Sequence, residues 1–294
     1  MPPFSAVVVT HDSAPELGAL LDSIDRFLDP RPEVNVVDAA SSDDTLAVAK
    51  GRAELVALDR NPGFGAASNQ GAARASEDVI VLLNPDVTLL DSGLGVLANR
   101  GRSRPALLAP RLLNPDGSVQ RSAHPLPGRA GTLLPALVHP RLMPRSLRLR
   151  AEPWRSDTLR AVGWATGACI AARTDLLREL GPFDPGQFLF YEDMDLCLRA
   201  RAAGVGTELH PDVRLRHAGA HSTGPAFGGE PYDLLATRRR EVVRGHLGGR
   251  ALAIDDLGEA LTFTTRAAGR MLLRREASVE RSRLAALLKA RGGP

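Results

Sequence analysis

Short runs of hydrophobic residues alternate with segments of helical spacing over the first third of the chain. Residues 4–10 read FSAVVVT, which predicts a strand, and the leucines and isoleucine of residues 14–28 fall on one helical face. Further strands are predicted at residues 34–38, 54–59 and 79–87, and the last is an apolar run typical of strands buried on both faces. The alternation predicts an α/β fold with a mostly parallel sheet flanked by helices, and ligands beyond the carboxyl ends of its strands.

The pattern is looser from about residue 100 to 160. The NPDG at residues 114–117 predicts a turn between two short strands, and the Pro- and Arg-rich stretch after it is expected to be an irregular insertion or mobile loop. Residues 162–174 predict another strand. Residues 188–204 predict a helix with carboxylates near its start and arginines near its end, as the helix dipole favours.

The charge is unevenly distributed along the chain. The whole sequence carries +3, but residues 238–294 hold 13 Lys/Arg and 6 Asp/Glu, so the tail carries +7 and the remainder −4. The small total argues against a nucleic-acid partner. We expect two parts, an α/β domain at residues 1–230 and a basic, helical C-terminal extension at residues 231–294.

The remaining composition places the chain among ordinary globular proteins, with 44% hydrophobic and 24% charged residues. Cys169 and Cys197 lie in no CxxC or zinc-ligand spacing, which is typical of a reducing compartment. The N-terminus shows no signal peptide, and no apolar run approaches the ~18 residues of a membrane span. The expected location is the cytoplasm.

Acidic residues follow two of the predicted strands. Asp38 ends the second strand, and Asp86 follows the apolar run at residues 79–83. Asp38 is either a carboxylate at the start of the next helix or a ligand contact. Asp86 either makes an Asx turn with Pro85 or binds a ligand. These alternatives stay open on the sequence alone.

A second group of carboxylates comprises Glu192, Asp193 and Asp195. They could simply complement the dipole of a surface helix. The apolar FLFY before them nevertheless places at least one carboxylate at the edge of a buried region, where burial can tune a general base.

His217 and His221 stand four residues apart, which on a helix would suit zinc. Residue 218 is Ala, however, so there is no HExxH motif, and Gly219 disfavours a helix. A single histidine ligand beside Asp86 is the better interpretation.

Several nucleotide-binding and hydrolase motifs are missing from the sequence. The first strand-to-helix turn has no glycine fingerprint, and neither GxxxxGK[ST] nor GxSxG occurs. What is left is a site with a few acids and one or two histidines. Such a site suits a divalent cation that neutralises a diphosphate, together with a carboxylate base.

The sequence resembles the family 2 glycosyltransferases of GT-A fold, and among them the bacterial rhamnosyltransferases. The resemblance runs from about residue 4 to 225 and rests on seven motifs in the family's order and spacing. They are VVVTHDS, DAASSDDT, NPGFGAASNQG, LLNPDV, VGWATGACIAAR, GPFDPGQFLFYEDMDLCLRARAAG and RHAGAHSTG.

The resemblance implies roles for individual residues. The implied nucleotide-sugar site comprises Thr10, Asp38, Gly63, Phe64, Asn69, Asn84, Trp164 and Gly167. Asp86 and His217 are implied to hold Mg²⁺ or Mn²⁺, and Glu192 and Asp193 to form the catalytic pair, with Asp193 as general base. Two departures stand out: Asn84 replaces the first Asp of the family's DxD, and Ala39 replaces an Asn that is common after Asp38.

The activity implied is inverting transfer of a sugar, with L-rhamnose from dTDP-rhamnose as the best guess, to a lipid-linked or polysaccharide acceptor in cell-envelope glycan synthesis. Another hexosyl or GlcNAc transfer, or a non-catalytic sugar-nucleotide- or glycan-binding module, is the alternative. The basic tail has two interpretations: residues 261–275 lie flat on an anionic membrane surface, or the helix packs on the domain with solvated arginines.

Overall fold

The computed structural model describes residues 3–181, 183–219 and 229–292. Its strands are β1 (Ser5–Thr10), β2 (Glu33–Asp38), β3 (Glu54–Ala57), β4 (Val79–Leu83), β5 (Val87–Leu89), β6 (Ala106–Leu113), β7 (Ala123–His124), β8 (Arg160–Val162), β9 (Trp164–Ala165), β10 (Cys169–Arg173) and β11 (Gly206–His217).

The α-helices are α1 (Ala14–Phe27), α2 (Thr45–Ala49), α3 (Phe64–Arg74), α4 (Gly93–Ser103), α5 (Leu134–Leu137), α6 (Arg145–Ala151), α7 (Thr174–Leu180), α8 (Glu192–Ala202), α9 (Tyr232–Leu272) and α10 (Ser278–Gly292). Short 3₁₀ turns occupy Ala130–Thr132, Pro140–Leu142 and Pro153–Arg155.

A nine-stranded sheet in the order β3-β2-β1-β4-β10-β6-β11-β5 forms the centre, with β8 also paired to β11. In the described part of the chain, six of these strands run in one direction, and only β5, β8 and β10 are antiparallel to their neighbours. The predicted α/β fold with a mostly parallel sheet is therefore confirmed. β7 and β9 pair separately as a small ribbon.

Both faces of the sheet are covered, as the apolar runs predict. Alternate residues of one strand enter different cores: Ala6 and Val8 belong to the core cluster that contains the leucines of α1, whereas Val7 belongs to the other cluster and lies against Gly71 of α3. Each strand therefore needs hydrophobic residues at consecutive positions rather than at every second one.

Two local expectations need correction. The stretch expected to be irregular contains β7, α5 and α6. The helix expected over residues 188–204 begins only at Glu192, because Phe190 and Tyr191 have left-handed backbone angles (φ 74° and 62°). This turn places the Glu192–Asp193 pair in the first turn of α8.

The C-terminal extension is helical, as expected, and it packs against the α/β part. α9 is interrupted at Gly248, whose φ of 81° and ψ of 174° break the helix. Before this break, Val242 and Val243 join the core cluster that contains Met194 of α8. Among the described residues, no helix is both long and apolar enough to cross a membrane.

Candidate active site

The carboxyl ends of β1, β2 and β4 bring the first group of predicted residues to one edge of the sheet. Thr10 and Asp38 are register partners at the ends of β1 and β2, and Val8 pairs with Leu83, directly before Asn84. Because the carboxyl ends of neighbouring parallel strands lie at the same edge of the sheet, the polar residues that follow these strands lie close together.

Asp38 is almost fully buried and organises the loop that follows β2. Its Oδ1 accepts hydrogen bonds from the hydroxyls of Thr10 (3.1 Å) and Ser41 (2.5 Å), and its Oδ2 accepts one from the Ser41 backbone N–H (3.0 Å). Only 1% of Asp38 is exposed. The carboxylate therefore shapes the floor of the implied base pocket, and direct contact with a nucleotide base remains a prediction.

Asp86 and His217 form a partly buried pair where β5 meets the end of β11. His217 Nε2 lies 3.2 Å from Asp86 Oδ1, while Asp86 Oδ2 accepts the backbone N–H of Gly219 at 2.7 Å. Burial pushes the pKa of Asp86 up, but the hydrogen bond and charge of His217 outweigh it, so the pKa is lowered overall. Asp86 is thus held as a carboxylate. His217 lies beside Asp86 as the sequence predicts, His221 lies outside the described residues, and a cation ligand role for His217 stays a prediction.

Gln120 supports the Asp86–His217 pair, and no sequence motif marks it. Its Oε1 lies 2.8 Å from His217 Nδ1, and its Nε2 donates to Asn114 Oδ1 at 3.2 Å. Since a carbonyl oxygen accepts, Nδ1 donates to Gln120, and this hydrogen bond orients the ring so that Nε2 faces Asp86. The one sequence signal was the NPDG turn, which folds residues 118–120 back onto β6.

The donor set fits a divalent cation. Two ligands at right angles on a cation with bonds of about 2.1 Å stand about 3.0 Å apart, and Asp86 Oδ1 and His217 Nε2 are 3.2 Å apart. Within the described ranges no three His, Cys, Asp or Glu side chains cluster as a complete site. Mg²⁺ sites commonly use one or two protein ligands plus substrate phosphates, so a two-residue set suits a diphosphate substrate.

Asp193 lies in the first turn of α8, where two backbone N–H groups hold it. Gly167 donates to Oδ2 at 2.9 Å and Met194 donates to Oδ1 at 2.7 Å. Burial raises the pKa of Asp193, and these two hydrogen bonds oppose the rise without cancelling it. A carboxyl group with a raised pKa is a stronger base than an ordinary aspartate, as proton abstraction from a hydroxyl requires.

Glu192 lies beside Asp193 with its Oε2 buried and without a hydrogen-bond partner among the described residues. Burial, and then the charge of Asp193, raise the pKa of Glu192. The two acids therefore separate in function: Asp193 ionises first, and Glu192 keeps its proton at higher pH.

Gly63 supports the turn that carries this acidic pair. Its φ is 91°, and a Cβ at this position would lie 2.1 Å from the backbone oxygen of Phe188. Only glycine satisfies both constraints. The start of α3 is thereby locked against the residues that lead into Tyr191 and Glu192.

The structure separates the remaining predicted residues by position. Phe64 borders Gly167, 3.8 Å from where a Cβ would stand, and so lies close to Asp193. The Trp164 ring stacks on His124 with centroids 4.0 Å apart and meets Tyr191 edge-on. The side-chain amide of Asn69 instead forms two hydrogen bonds with the backbone of Phe183. It donates to the Phe183 oxygen (2.8 Å) and accepts from the Phe183 N–H (3.0 Å).

One backbone step joins the two halves of the site. The Asn84 N–H donates to the oxygen of Ala168 at 3.0 Å, and the preceding residue, Gly167, donates to Asp193. Asn84, next to the Asp86–His217 pair in the chain, and Gly167, which holds the Asp193 carboxylate, thus meet at the carboxyl edge of the sheet.

Comparisons with known proteins agree with this architecture. The sequence profile of "Glycosyl transferase family 2" matches residues 5–157. The N-acetylglucosaminyl-diphospho-decaprenol L-rhamnosyltransferase of Mycobacterium tuberculosis is 38% identical over 65 residues, which are 22% of this chain and 21% of that protein. Rhamnosyltransferase WbbL of Escherichia coli is 38% identical over 73 residues, 24% of this chain and 26% of that protein. The matched segments thus span about a quarter or less of either relative.

The fold has solved counterparts. The mannosyltransferase PcManGT from Pyrobaculum calidifontis, in complex with GDP-Man and Mn²⁺, superposes with a TM-score of 0.60 at 18% identity, covering 99% of this chain and 86% of that one. This likeness establishes the GT-A fold. Because the family profile spans more than half of the 294 residues, the chain belongs to the family 2 glycosyltransferases.

Proposed function

We propose that the chain is a cation-dependent, inverting glycosyltransferase that moves a sugar from a nucleoside diphosphate to a lipid-linked acceptor in cell-envelope glycan synthesis. The observation that carries this proposal is the joint placement of Asp193 and the Asp86–His217 pair around residues 167–168. A module that only binds sugar nucleotides needs no such base with a raised pKa.

Asp193 acts as the general base. An acceptor hydroxyl is a weak nucleophile at neutral pH, so its proton must pass to a carboxylate as the new bond to the anomeric carbon forms. The two backbone N–H donors fix the Asp193 side chain in place. Attack from the face opposite the departing diphosphate inverts the anomeric centre.

Asp86 and His217 would hold Mg²⁺ or Mn²⁺, as the GT-A relative in complex with Mn²⁺ supports. A bound cation would neutralise charge that develops on the leaving diphosphate. Gln120 fixes the ring of His217 so that Nε2 stays available as a ligand. Asn84 replaces a carboxylate with a neutral amide, which lowers the negative charge of the site and thus its affinity for the cation.

The donor nucleotide is placed over the ends of β1 and β2. Thr10 and Asp38 would line the base pocket, Gly63, Phe64 and Asn84 the wall beyond it, and the backbone of Gly167 and the ring of Trp164 would border the sugar. Because the Asn69 amide is hydrogen-bonded to Phe183, Asn69 would position the loop around Phe183 rather than contact the nucleotide itself.

The names of the relatives support a choice of sugar. Both curated relatives are rhamnosyltransferases by name, and the mycobacterial one names an N-acetylglucosaminyl-diphospho-decaprenol acceptor. L-Rhamnose from dTDP-rhamnose and an acceptor of that kind are therefore the first choice. We further propose a cytoplasmic enzyme in peripheral contact with the inner face of the cell membrane, with the C-terminal extension contributing to that contact.

A donor panel tests the proposal. Release of nucleoside diphosphate is measured with dTDP-rhamnose and other nucleotide sugars, with GlcNAc-diphospho-lipid present or absent, in Mg²⁺, Mn²⁺ or chelator. We expect release only with acceptor and cation, and fastest with dTDP-rhamnose. A different preferred donor would select the hexosyl or GlcNAc alternative. If no donor released nucleoside diphosphate, the chain would be a non-catalytic module that binds sugar nucleotides or glycans.

A further inference from the structure

Two segments far apart in sequence expose large hydrophobic side chains. Residues 134–147, in the insertion between β7 and β8, and residues 271–273, at the end of α9, hold most of them. Leu142 is 80% exposed and Leu272 is 85% exposed. Single exposed leucines are ordinary on protein surfaces, but such a concentration marks an interaction site.

A hydrogen bond joins the two segments. The Thr265 hydroxyl of α9 donates to the backbone oxygen of Ala136 at 2.9 Å, and α5 packs along α9. Met271 follows six residues later, about 9 Å further along the helix axis. The α5–α9 contact brings the two groups of exposed side chains near each other, and together they are here called the leucine patch. It comprises Leu134, Leu137, Val138, Leu142, Met271, Leu272 and Leu273.

The two segments that carry the leucine patch are rich in arginine. Residues 129–155 and 264–275 together contain ten arginines and one acid, Glu152. Of these arginines, Arg148 and Arg155 share Glu152, Arg145 reaches Asp157, and Arg270 binds Glu280. Arg266 lies within electrostatic reach of Glu259, Glu152 and Glu280. The other five form no ion pair with a carboxylate of the described ranges. They are Arg129, Arg141, Arg150, Arg274 and Arg275.

We propose that the leucine patch and its unpaired arginines dock the protein onto an anionic lipid bilayer. Apolar side chains with arginines at their border match an interface in which hydrocarbon lies beneath phosphate groups. The contact differs from a helix that lies flat over residues 261–275, since Ala267 is buried and Phe263 lines a pocket that faces Tyr191 of the α/β part. Here the insertion at residues 134–147 supplies half of the surface. The proposal stands on exposure and charge, and it holds whichever sugar is transferred.

Vesicle sedimentation of the full chain tests this docking. The vesicles contain phosphatidylcholine alone or phosphatidylcholine and phosphatidylglycerol in equal amounts. The test variant, Leu142→Ser with Leu272→Ser, changes only exposed positions, and Leu55→Ser, on the exposed edge strand β3, is the matched control. We expect binding to the anionic vesicles alone, at least about tenfold weaker binding for the double variant, unchanged binding for the control, and loss of binding with added salt.

Other outcomes would overturn the docking proposal. Equal sedimentation of the double variant and the parent chain would remove the leucine patch from membrane contact. A parent chain that is dimeric by analytical ultracentrifugation, with a monomeric double variant, would assign the patch to a second copy. Nucleoside diphosphate release with a short-chain acceptor in detergent separates the two proposals, because the double variant should keep that activity.

Discussion

Gln120 is the residue whose contribution can be measured most selectively. Gln120→Leu removes the acceptor of the His217 Nδ1 proton without touching either cation ligand. Loss of such a supporting hydrogen bond typically weakens metal affinity by about 10–100-fold. We expect the Mn²⁺ concentration for half-maximal activity to rise by about that factor while kcat at saturating Mn²⁺ changes little. Gln70→Leu, on the surface of α3, serves as control. An unchanged Mn²⁺ dependence would contradict this positioning part.

The raised pKa of Asp193 sets the acid limb of the pH profile. Because burial raises this pKa and the base works only when ionised, activity should fall with decreasing pH at a higher pH than an ordinary aspartate would give. Glu192→Gln should keep that limb, since Glu192 is protonated where Asp193 titrates. The check is kcat measured from about pH 5 to about pH 9. An acid limb near pH 4, typical of exposed aspartate, would refute the assignment.

Glu192 should also make folding stability depend on pH. Its pKa is raised in the folded state, so the folded protein binds this proton more tightly than the unfolded chain, and stability is lost as pH rises from the ordinary glutamate range through the raised value. Glu192→Gln should flatten this decline, by on the order of 1 kcal/mol for each unit of pKa shift. Urea unfolding at several pH values measures the effect. If the free energy of unfolding fell equally with pH in the parent chain and in Glu192→Gln, Glu192 would not cause the pH dependence.

At the residue scale, the sequence indicated acids and a histidine but not their partners. Asp86 and Asp193 stand out because each lies just after an apolar run, and His217 stands out because His221 follows four residues later. Gln120 does not, since its part depends on a turn that folds it toward β11, 97 residues away in the chain. Asn69 was expected to face the nucleoside, and only the loop containing Phe183 shows where its amide goes.

At the scale of elements, Gly63 couples α3 to the turn before α8. Gly63→Ala would place a methyl group against the Phe188 oxygen in addition to the left-handed strain. Gly51→Ala has similar strain (φ 74°) with no atom nearby, so it isolates the backbone cost of about 1–2 kcal/mol. We expect Gly63→Ala to lose more stability than the control and to reduce kcat as Tyr191 and Glu192 shift. Equal losses in thermal unfolding, with full activity, would show that the Phe188 contact is dispensable.

Local patterns predicted β1 to β4 and their helices because each is specified by a short window of hydrophobic spacing. The same patterns could not place β10 between β4 and β6, since this antiparallel pairing joins residues about 60 to 90 positions apart. The start of α8 was misplaced for a related reason. Phe190 and Tyr191 have ordinary helical propensity, and their left-handed angles are held by surrounding structure such as the Gln187 side chain, which donates to the Phe190 oxygen.

At the scale of the whole molecule, the C-terminal extension and the α/β part should unfold together. Arg239 binds Asp255, a buried residue of the same helix α9, through two hydrogen bonds of 2.8 and 2.9 Å, and this pair holds its guanidinium 5.9 Å from the centre of the Tyr191 ring in the α/β part. The domain boundary at residues 230/231 stays a prediction. Because the α/β part and α9 share one hydrophobic core cluster, we expect them to unfold in a single cooperative transition.

Arg239→Met tests this coupling. It leaves Asp255 buried without its cation, which should cost about 3–5 kcal/mol, whereas Arg238→Met breaks only the more exposed pair with Glu241 and should cost less than about 1 kcal/mol. Both tryptophans, Trp154 and Trp164, lie in the α/β part, so their fluorescence reports on it alone. Coincident fluorescence and circular dichroism midpoints, both lowered in Arg239→Met, are expected. Unshifted fluorescence would show independent units.

The central claim is that Asp193 removes the acceptor proton during glycosyl transfer. The most direct measurement is the rate of sugar transfer from the preferred donor to the lipid-linked acceptor by the parent chain, Asp193→Asn, and Asp175→Asn as a surface-carboxylate control. We predict that Asp193→Asn lowers kcat by about 10²–10⁴-fold in a protein that stays folded by circular dichroism, and that the control keeps full activity. Parent-like turnover by Asp193→Asn would contradict the account.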